Sequence, residues 1–256
     1  MSKKAKTEPY AIAFIDFLGV KEMVANDSDG NLLVVFRTAC KAALHMCKEI
    51  LNDDAVTIKM FSDNVILCKR VYKQESHTND VQGALRRVMV AASMFQYFIL
   101  DTMGALVRGG ITVGELYIDN MMVWGQALVD AYRIEGEIAQ FPRIVIDPQL
   151  ANGEFGKEIS ESAAVACDTD GLYYLNYINL VWKFHKLKSY NEALDKFFAS
   201  NLAEAEKHSD ISAVMKKLMW QEGYLDRMKQ HWITEISERG DAEASDTPQN
   251  VAAPPL

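Results

Sequence analysis

The sequence predicts an α+β fold with a ferredoxin-like order of elements, followed by a helical extension. Over residues 9–178, short apolar segments alternate with amphipathic ones in the order strand, helix, hairpin, helix, strand pair, helix, strand. From residue 179 to residue 238 the composition shifts to helix formers. Residues 239–256 are polar and proline-rich, which is typical of a disordered tail. We therefore expect a first domain, a helical extension and a tail with these boundaries.

Each element is predicted from the spacing of its apolar residues. Short apolar runs bounded by proline, glycine or turn residues predict strands, and apolar residues three and four apart predict helices. The predicted strands cover residues 10–19, 55–61, 64–72, 105–118 and 143–148. The predicted helices cover residues 31–51, 79–104, 124–141, 190–207 and 210–236.

Single residues mark where several of these elements begin, end or bend. Asn31 is a suitable N-cap, and Gly104 is a suitable C-cap. The pair Ser62-Asp63 separates two apolar runs and predicts a hairpin turn. Glycines within residues 105–118 predict a kink between two strands, and Pro142 predicts the end of the preceding helix.

Composition and charge limit the class of function. The net charge of −8 argues against a broad basic surface for nucleic acid. No apolar run approaches the ~20 residues of a membrane span, and the basic N-terminus lacks the apolar segment of a signal peptide. The four cysteines are dispersed and form no CxxC pair, so neither a zinc site nor a disulfide framework is indicated. We expect a cytoplasmic protein in a reducing compartment.

Two aspartates stand out in the apolar segments. Asp16 lies in "FIDFLG" near the end of the first predicted strand, and Asp63 lies in the predicted hairpin turn of "TIKMFSDNVIL". Taken singly, Asp16 fits a strand-end or buried hydrogen-bonded residue, and Asp63 fits ordinary turn chemistry. If the strand and the hairpin are neighbours, the two carboxylates meet at one sheet end. Such a pair needs a cation, and oxygen ligands suit Mg²⁺ or Mn²⁺.

Two arginines are further candidates. Arg108 lies in a predicted strand just before two glycines. It is either a satisfied strand residue or, close to metal ions, a ligand for a phosphate chain. Arg133 lies on a predicted helix three residues after Asp130, where a surface ion pair is the simple interpretation.

Four ordered motifs within about residues 9–150 resemble the class III nucleotide cyclase catalytic domain. "FIDFLG" resembles the first metal-aspartate motif of this family, and "IKMFSD" resembles its hairpin with a lysine and a second aspartate. "VRGGITVGELY" resembles its Arg-x-Gly-Ile-x-x-Gly strand, and "VWGQALVDAYRIE" resembles its Trp-Gly-x-x-Val-Asn-x-Ala-x-Arg helix. The resemblance implies a cyclase core with a central, mostly antiparallel sheet and flanking helices.

The resemblance also implies a two-metal site. Asp16 and Asp63, with the backbone carbonyl of Phe17, would hold two divalent ions, Mn²⁺ or Mg²⁺. One ion would lower the pKa of the ribose 3′-hydroxyl, and the other would hold the triphosphate. Gly19 would help the following loop to wrap the phosphates, and Arg108 would contact them.

In that family the second protomer completes the site. Lys59 would face the base, and Arg133 would stabilise charge on the α-phosphate in the transition state. The resemblance therefore implies a homodimer with composite active sites. For the C-terminal helices, a cap on the sheet or a dimer interface is the simple interpretation, and a nucleic-acid patch is the alternative.

Two departures from the family pattern concern substrate choice. Met122 stands where adenylate cyclases carry the adenine-reading carboxylate, and a thioether is a weak acceptor. Val129 stands at the position of the ribose-orienting asparagine. Asp130 is the next residue and points about 100° away on a helix, so it would substitute only after a local shift.

With these departures the chain resembles the bacterial pyrimidine cyclases of Pycsar antiphage systems. Those enzymes make cyclic UMP or cyclic CMP, which activates a partner effector that harms the infected cell. Lys59 can donate to uracil O4, whereas cytosine offers an amine there, so UTP is favoured over CTP. A cytidylate cyclase, a purine cyclase and an inactive nucleotide-binding homologue that scaffolds an effector are the alternatives.

Overall fold

The structure is a computed structural model, and it describes residues 6–50, 56–72, 80–185 and 211–245. Its strands are β1 Glu8–Phe17, β2 Thr57–Phe61, β3 Asn64–Arg70, β4 Val107–Ile118, β5 Val123–Trp124, β6 Ile144–Ile146, β7 Val165–Cys167 and β8 Tyr173–Leu175. Its helices are α1 Val20–Asn26, α2 Asn31–Ile50, α3 Val81–Met103, α4 Gln126–Arg133, α5 Pro148–Ala151, α6 Gly156–Ser160, α7 Tyr177–His185 and α8 Ile211–Ser245. A π-helix, Ile134–Ile138, continues directly from α4.

The described strands form a mixed sheet in the order β2-β3-β1-β4-β6-β8-β7, with β5 paired to β4. The first four of these strands have the ferredoxin-like order and are antiparallel throughout. The β4–β6 pair is parallel, and the pairs of β8 with β6 and β7 are antiparallel. The predicted α+β class, with a mostly antiparallel central sheet and flanking helices, is confirmed.

The central strand β1 is covered on both faces because its side chains alternate between two layers. Its odd-numbered residues, such as Ala13 and Ile15, belong to the main core with α2 and α3. Its even-numbered residues Ile12 and Phe14 pack against α4 through Ala127. This alternation assigns the next even-numbered residue of β1 to the α4 face.

The glycines of β4 serve close packing, so the predicted kink is wrong. The strand is continuous from Val107 to Ile118. A Cβ at Gly109 would lie 2.5 Å from the carbonyl oxygen of Phe14, and one at Gly110 would lie 2.6 Å from Cβ of Ile134. Absence of these side chains lets β1 and the start of the π-helix lie directly against β4.

Other boundaries differ from the sequence prediction. The helix predicted over residues 124–141 is α4 followed by the π-helix, which ends at Ile138. The short strands β5, β7 and β8 and the short helices α1, α5 and α6 were not predicted, since a few residues carry no readable period. The predicted helix over residues 190–207 lies outside the described residues.

The C-terminal helix α8 packs on the same core as the sheet. Tyr224 is fully buried, and its hydroxyl donates to Asn176 Oδ1 at 2.9 Å. Gln221 donates to the hydroxyl of Tyr177 at 2.6 Å, and the Trp220 indole N–H donates to Asp168 Oδ2 at 2.7 Å. The prediction of a cap on the sheet agrees with these contacts.

The helix α8 also extends into the predicted tail. It continues to Ser245, so it includes residues 239–245 of the segment predicted as a tail. These residues include two alanines and one glutamate, which favour helix. The remainder of the tail lies outside the described residues. Within the described part of the chain, no helix combines the length and the apolar character that crossing a membrane requires.

Candidate active site

The site begins with a cross-strand pair at the end of the central strands. Asp16 is the next-to-last residue of β1 and lies opposite Arg108 of β4 and Asn64 of β3. Nε of Arg108 lies 3.4 Å from Oδ2 of Asp16, and both side chains are partly buried. Both residues therefore face the layer formed by α4 and the π-helix.

The second predicted aspartate lies at the same sheet end. Ser62 and Asp63 form the two-residue turn between β2 and β3, and Ser62 has a left-handed backbone with φ of 52°. The backbone N–H of Phe17 donates to the carbonyl oxygen of Asp63 at 3.0 Å, which holds the turn against β1. Asn64 Nδ2 donates to Asp63 Oδ1 at 3.0 Å. The predicted hairpin is confirmed, and its second strand pairs with β1, which is the condition for the two aspartates to meet at one sheet end.

A third carboxylate, Glu135, joins this group and was missed in the sequence. Its side chain is 4% exposed, and its Oε1 lies 2.6 Å from Nε of Arg108. Glu135 is the second residue of the π-helix and lies four residues after the buried Ala131. A charged residue on the apolar face of a predicted helix was the signal that could have revealed it.

The three carboxylates share a confined, partly dehydrated space. Burial raises the pKa of Asp16, and the nearby charge of Asp63 raises it further. Burial and both aspartates likewise raise the pKa of Glu135. For both groups the charges of Arg108 and of Lys217, a residue of α8, act in the opposite direction. The site thus concentrates more negative charge than its burial readily tolerates.

The oxygen atoms of the site carboxylates suit hard divalent cations. In this structure the positive charge closest to Asp16 and Glu135 is the guanidinium of Arg108. Carboxylate and carbonyl oxygens are the ligands that Mg²⁺ and Mn²⁺ prefer. The raised pKa of Asp16 indicates a carboxylate whose negative charge is incompletely compensated. Among the described residues, no group of three or more His, Cys, Asp or Glu side chains is arranged to hold a metal ion.

The loop after β1 begins helix α1, whereas the ring of Phe17 points into the core. Gly19 caps α1 with φ of 83°, a conformation that glycine adopts without strain. The ring of Phe17 is buried and lies edge-on to Phe36 and Phe95. Only its backbone is therefore offered to the site.

The remaining predicted residues are not brought to Asp16 within the chain. Lys59 of β2 is half-buried and lies opposite Ile66 of β3. Arg133 is exposed, and its Nη2 lies 3.8 Å from Oδ1 of Asp130, which is the simple surface pair predicted from their spacing. Within the part of the chain that the structure describes, no ion pair links Arg133 to either site aspartate.

The two residues tied to substrate choice lie on the surface. The backbone N–H of Met122 donates to Asp119 Oδ1 at 2.9 Å, in the turn between β4 and β5. Val129 is 56% exposed on α4. Large exposed apolar side chains recur on β2, on this turn, on β5 and on α4: Met60, Phe61, Met121, Met122, Trp124, Val129 and Tyr132.

The solved structures to which the chain is similar in fold include nucleotide cyclase domains. The adenylyl cyclase CyaB from P. aeruginosa is 15% identical with a TM-score of 0.46, and the match covers 68% of this chain and 96% of that one. The guanylate cyclase domain of RhGC from Catenaria anguillulae, in complex with GTP, is 12% identical with a TM-score of 0.49, over 68% and 98%.

A third similar structure is the monomeric guanylyl cyclase domain of the RhoGC fusion protein from the aquatic fungus Blastocladiella emersonii. It is 13% identical with a TM-score of 0.48, and the match covers 68% of this chain and 98% of that domain. No protein-family model and no curated protein sequence matches the chain. At these identities the likeness concerns the arrangement of sheet and helices.

Proposed function

We propose that the chain is a metal-dependent nucleotide cyclase that converts UTP to 3′,5′-cyclic UMP and diphosphate. The observation that carries this proposal is the position of Asp16 and Asp63, which come from separate elements to one end of the central strands. Four ordered sequence motifs of the class III cyclases supply the reaction type. The similar solved structures are themselves described as adenylyl or guanylyl cyclases.

In the proposed reaction the ribose O3′ forms a bond to the α-phosphorus, and the bond from that phosphorus to the diphosphate oxygen breaks. The proton of the 3′-hydroxyl passes to solvent. Asp16, Asp63 and the carbonyl of Phe17 would hold two divalent ions, which lower the pKa of the hydroxyl and neutralise the triphosphate. Gly19 would leave the loop after β1 free of a side chain beside the phosphates, and its φ of +83° is a backbone conformation that favours glycine.

We further propose that two protomers share each site. Among the described residues, neither Lys59 nor Arg133 forms an ion pair with the site carboxylates of its own chain, and the partner of Arg133 is Asp130 instead. Exposed apolar side chains accompany them on β2 and α4, and a protein interface would bury such a surface. In a symmetric dimer Lys59 would reach the base, and Arg133 the α-phosphate, of the partner's substrate.

The choice of a pyrimidine rests on Met122 and Lys59. Met122 offers no strong acceptor for the exocyclic amine of adenine or cytosine. Lys59 carries donors that suit uracil O4. Asp130 Oδ1 accepts a hydrogen bond from Gln126 Nε2 at 3.1 Å and lies 3.8 Å from Arg133 Nη2, so a contact of Asp130 with the ribose would need the local shift expected from the sequence. The Pycsar resemblance extends the proposal to a second messenger that activates an antiphage effector.

The test is product formation from each nucleotide. Purified protein is incubated with Mn²⁺ and each of the four labelled ribonucleoside triphosphates, and cyclic UMP is the expected main product. Cyclic CMP would indicate the cytidylate alternative, and cyclic AMP or cyclic GMP would refute the pyrimidine assignment. Absence of any cyclic product would refute the enzyme assignment and favour an inactive nucleotide-binding homologue.

An Asp63→Asn variant is the matched control for the metal site. It keeps the size of the side chain and the turn but removes one charged ligand. We expect loss of product with an unchanged circular dichroism spectrum. Full activity in this variant would remove Asp63 from the metal site.

A further inference from the structure

The turn between β4 and β5 is held by one side chain. Asp119 is the first of the residues, 119–122, that join the two strands. Its Oδ1 accepts hydrogen bonds from the backbone N–H groups of Met121 at 2.8 Å and of Met122 at 2.9 Å. Its Oδ2 accepts one from the hydroxyl of Tyr117 at 2.7 Å. Both carboxylate oxygens of Asp119 are therefore engaged in fixing the turn to β4.

The backbone of Met122 is held on two sides, and both contacts are with Asp119. The Met122 N–H donates to the Asp119 side chain, and the Met122 carbonyl oxygen accepts from the Asp119 N–H at 3.1 Å. The Met122 side chain itself is 39% exposed, unbranched and flexible. Its direction is therefore set chiefly by the backbone that carries it, and so by Asp119.

Lys59 lies close to the same turn. The hydrogen bond from Tyr117, followed by those from Met122 and Met121, lowers the pKa of Asp119, and the positive charge of Lys59 lowers it further. The two residues that the proposed function assigns to the base are thus both near Asp119, one through its backbone and the other through its charge.

We propose that Asp119 is a positioning residue for base selectivity, because it fixes the turn from which Met122 faces the nucleobase. The proposal rests on the base pocket of the proposed function, and it adds a residue that lies outside the four sequence motifs. Asp119 does not read the base itself, since both of its oxygens are already occupied within the turn.

Loss of Asp119 would admit water beside the base. While the turn is fixed, Met122 leaves the exocyclic amine of cytosine without a strong acceptor. Once the turn moves, a water molecule can take the place of the thioether and accept a hydrogen bond from that amine. One hydrogen bond of this kind corresponds to about 10-fold in affinity, so the preference for UTP over CTP should fall by about that factor.

The test is a competition between equimolar UTP and CTP on the full chain with Mn²⁺, read as the ratio of cyclic UMP to cyclic CMP. Asp119→Ala should lower this ratio about 10-fold. Asp119→Asn should stay within about threefold of the wild type, because the amide keeps an oxygen for the turn N–H groups and can donate to the Tyr117 hydroxyl. Glu115→Gln is the matched control, since it removes an exposed carboxylate from β4 and should leave the ratio unchanged.

A second measurement separates this proposal from the proposed function. It compares the affinities of the chain for α,β-methylene analogues of UTP and CTP, in which a P–C bond replaces the bond that the reaction breaks. If the wild type makes no cyclic product, the proposed function is refuted, and the affinity ratio of Asp119→Ala against the wild type still decides the role of Asp119.

Three results would overturn the proposal. An unchanged ratio in Asp119→Ala, with equal losses on both nucleotides, would show that Asp119 stabilises the turn and nothing more. A lowered ratio in Asp119→Asn would assign the effect to the charge beside Lys59 rather than to the fixed turn. A wild type that does not prefer UTP to CTP in either measurement would leave no selectivity for Asp119 to set.

Discussion

Replacement of Gly110 by alanine leads to a quantitative prediction, because the structure leaves no room for the added methyl group. The added Cβ would lie 2.6 Å from Cβ and 2.8 Å from Cγ2 of Ile134, and it would also meet the backbone carbonyl of Ala131. These atoms are buried, and one is backbone, so the helical layer must shift. Overpacking of this kind costs about 1–3 kcal/mol.

The effect of Gly110→Ala should be visible in thermal unfolding. For a chain of this size, each kcal/mol lowers Tm by about 2–4 °C, so a cost of roughly 2 kcal/mol predicts a loss of about 4–8 °C. The assay is thermal melting followed by circular dichroism, with urea unfolding as an independent measure.

Gly136→Ala is the matched control, because Gly136 lies on the same π-helix as Ile134. Apart from its chain neighbours and the backbone of its own helix, no atom of the described residues lies within 4 Å of the position that its Cβ would occupy. An alanine in a helical position is favoured over glycine by about 0.5–1 kcal/mol. We therefore expect an unchanged or slightly higher Tm. Equal Tm values for Gly110→Ala and the wild type, or equal losses in the two variants, would refute the packing argument.

Three further predictions concern charge, substrate and thiols. Since the folded-state pKa of Asp16 is raised, the folded chain binds more protons than the unfolded one, so this group favours folding increasingly as pH falls through the raised pKa. Asp16→Asn should therefore match or exceed the wild-type Tm at pH 8 while losing the rise in Tm that Mn²⁺ gives the wild type; a large loss of Tm would contradict this. Met122→Asp adds an acceptor and should shift product toward cyclic CMP or cyclic AMP; an unchanged product ratio would remove Met122 from the base pocket. Burial raises the pKa of Cys68 to about 12, so maleimide labelling at pH 8, read by peptide mass spectrometry, should modify the exposed Cys167 and spare Cys68 until the chain unfolds.

Strand alternation and turn chemistry made the sheet end predictable. The apolar run around Asp16 and the turn at Asp63 are local signals, and neighbouring strands bring them together. The left-handed backbone of Ser62 interrupts the extended strand conformation between Lys59 and Asp63, at the turn that the sequence predicts. These features depend on a few consecutive residues, which is why a single sequence reveals them.

The pattern of residues along the sequence does not predict contacts between elements that are far apart in the chain. The Glu135–Arg108 pair depends on how closely the helical layer approaches β4, and local spacing does not encode that distance. The glycines before Ile111 predicted a kink, yet they serve this close approach. The charge of Lys217 at the site depends on the docking of α8, which begins beyond a stretch outside the described residues.

The docking of α8 determines how the molecule would respond to a cut in its chain. Trp220 stacks against Phe141 and Tyr224, with ring centroids 5.9 and 5.7 Å apart, respectively. The buried guanidinium of Arg143 lies 5.7 Å from the Trp220 ring and pairs with Asp168, which also accepts the indole N–H. A chain nicked between residues 186 and 210 should therefore remain a noncovalent complex of two fragments that elute together, and separate only when this aromatic and ionic contact is denatured.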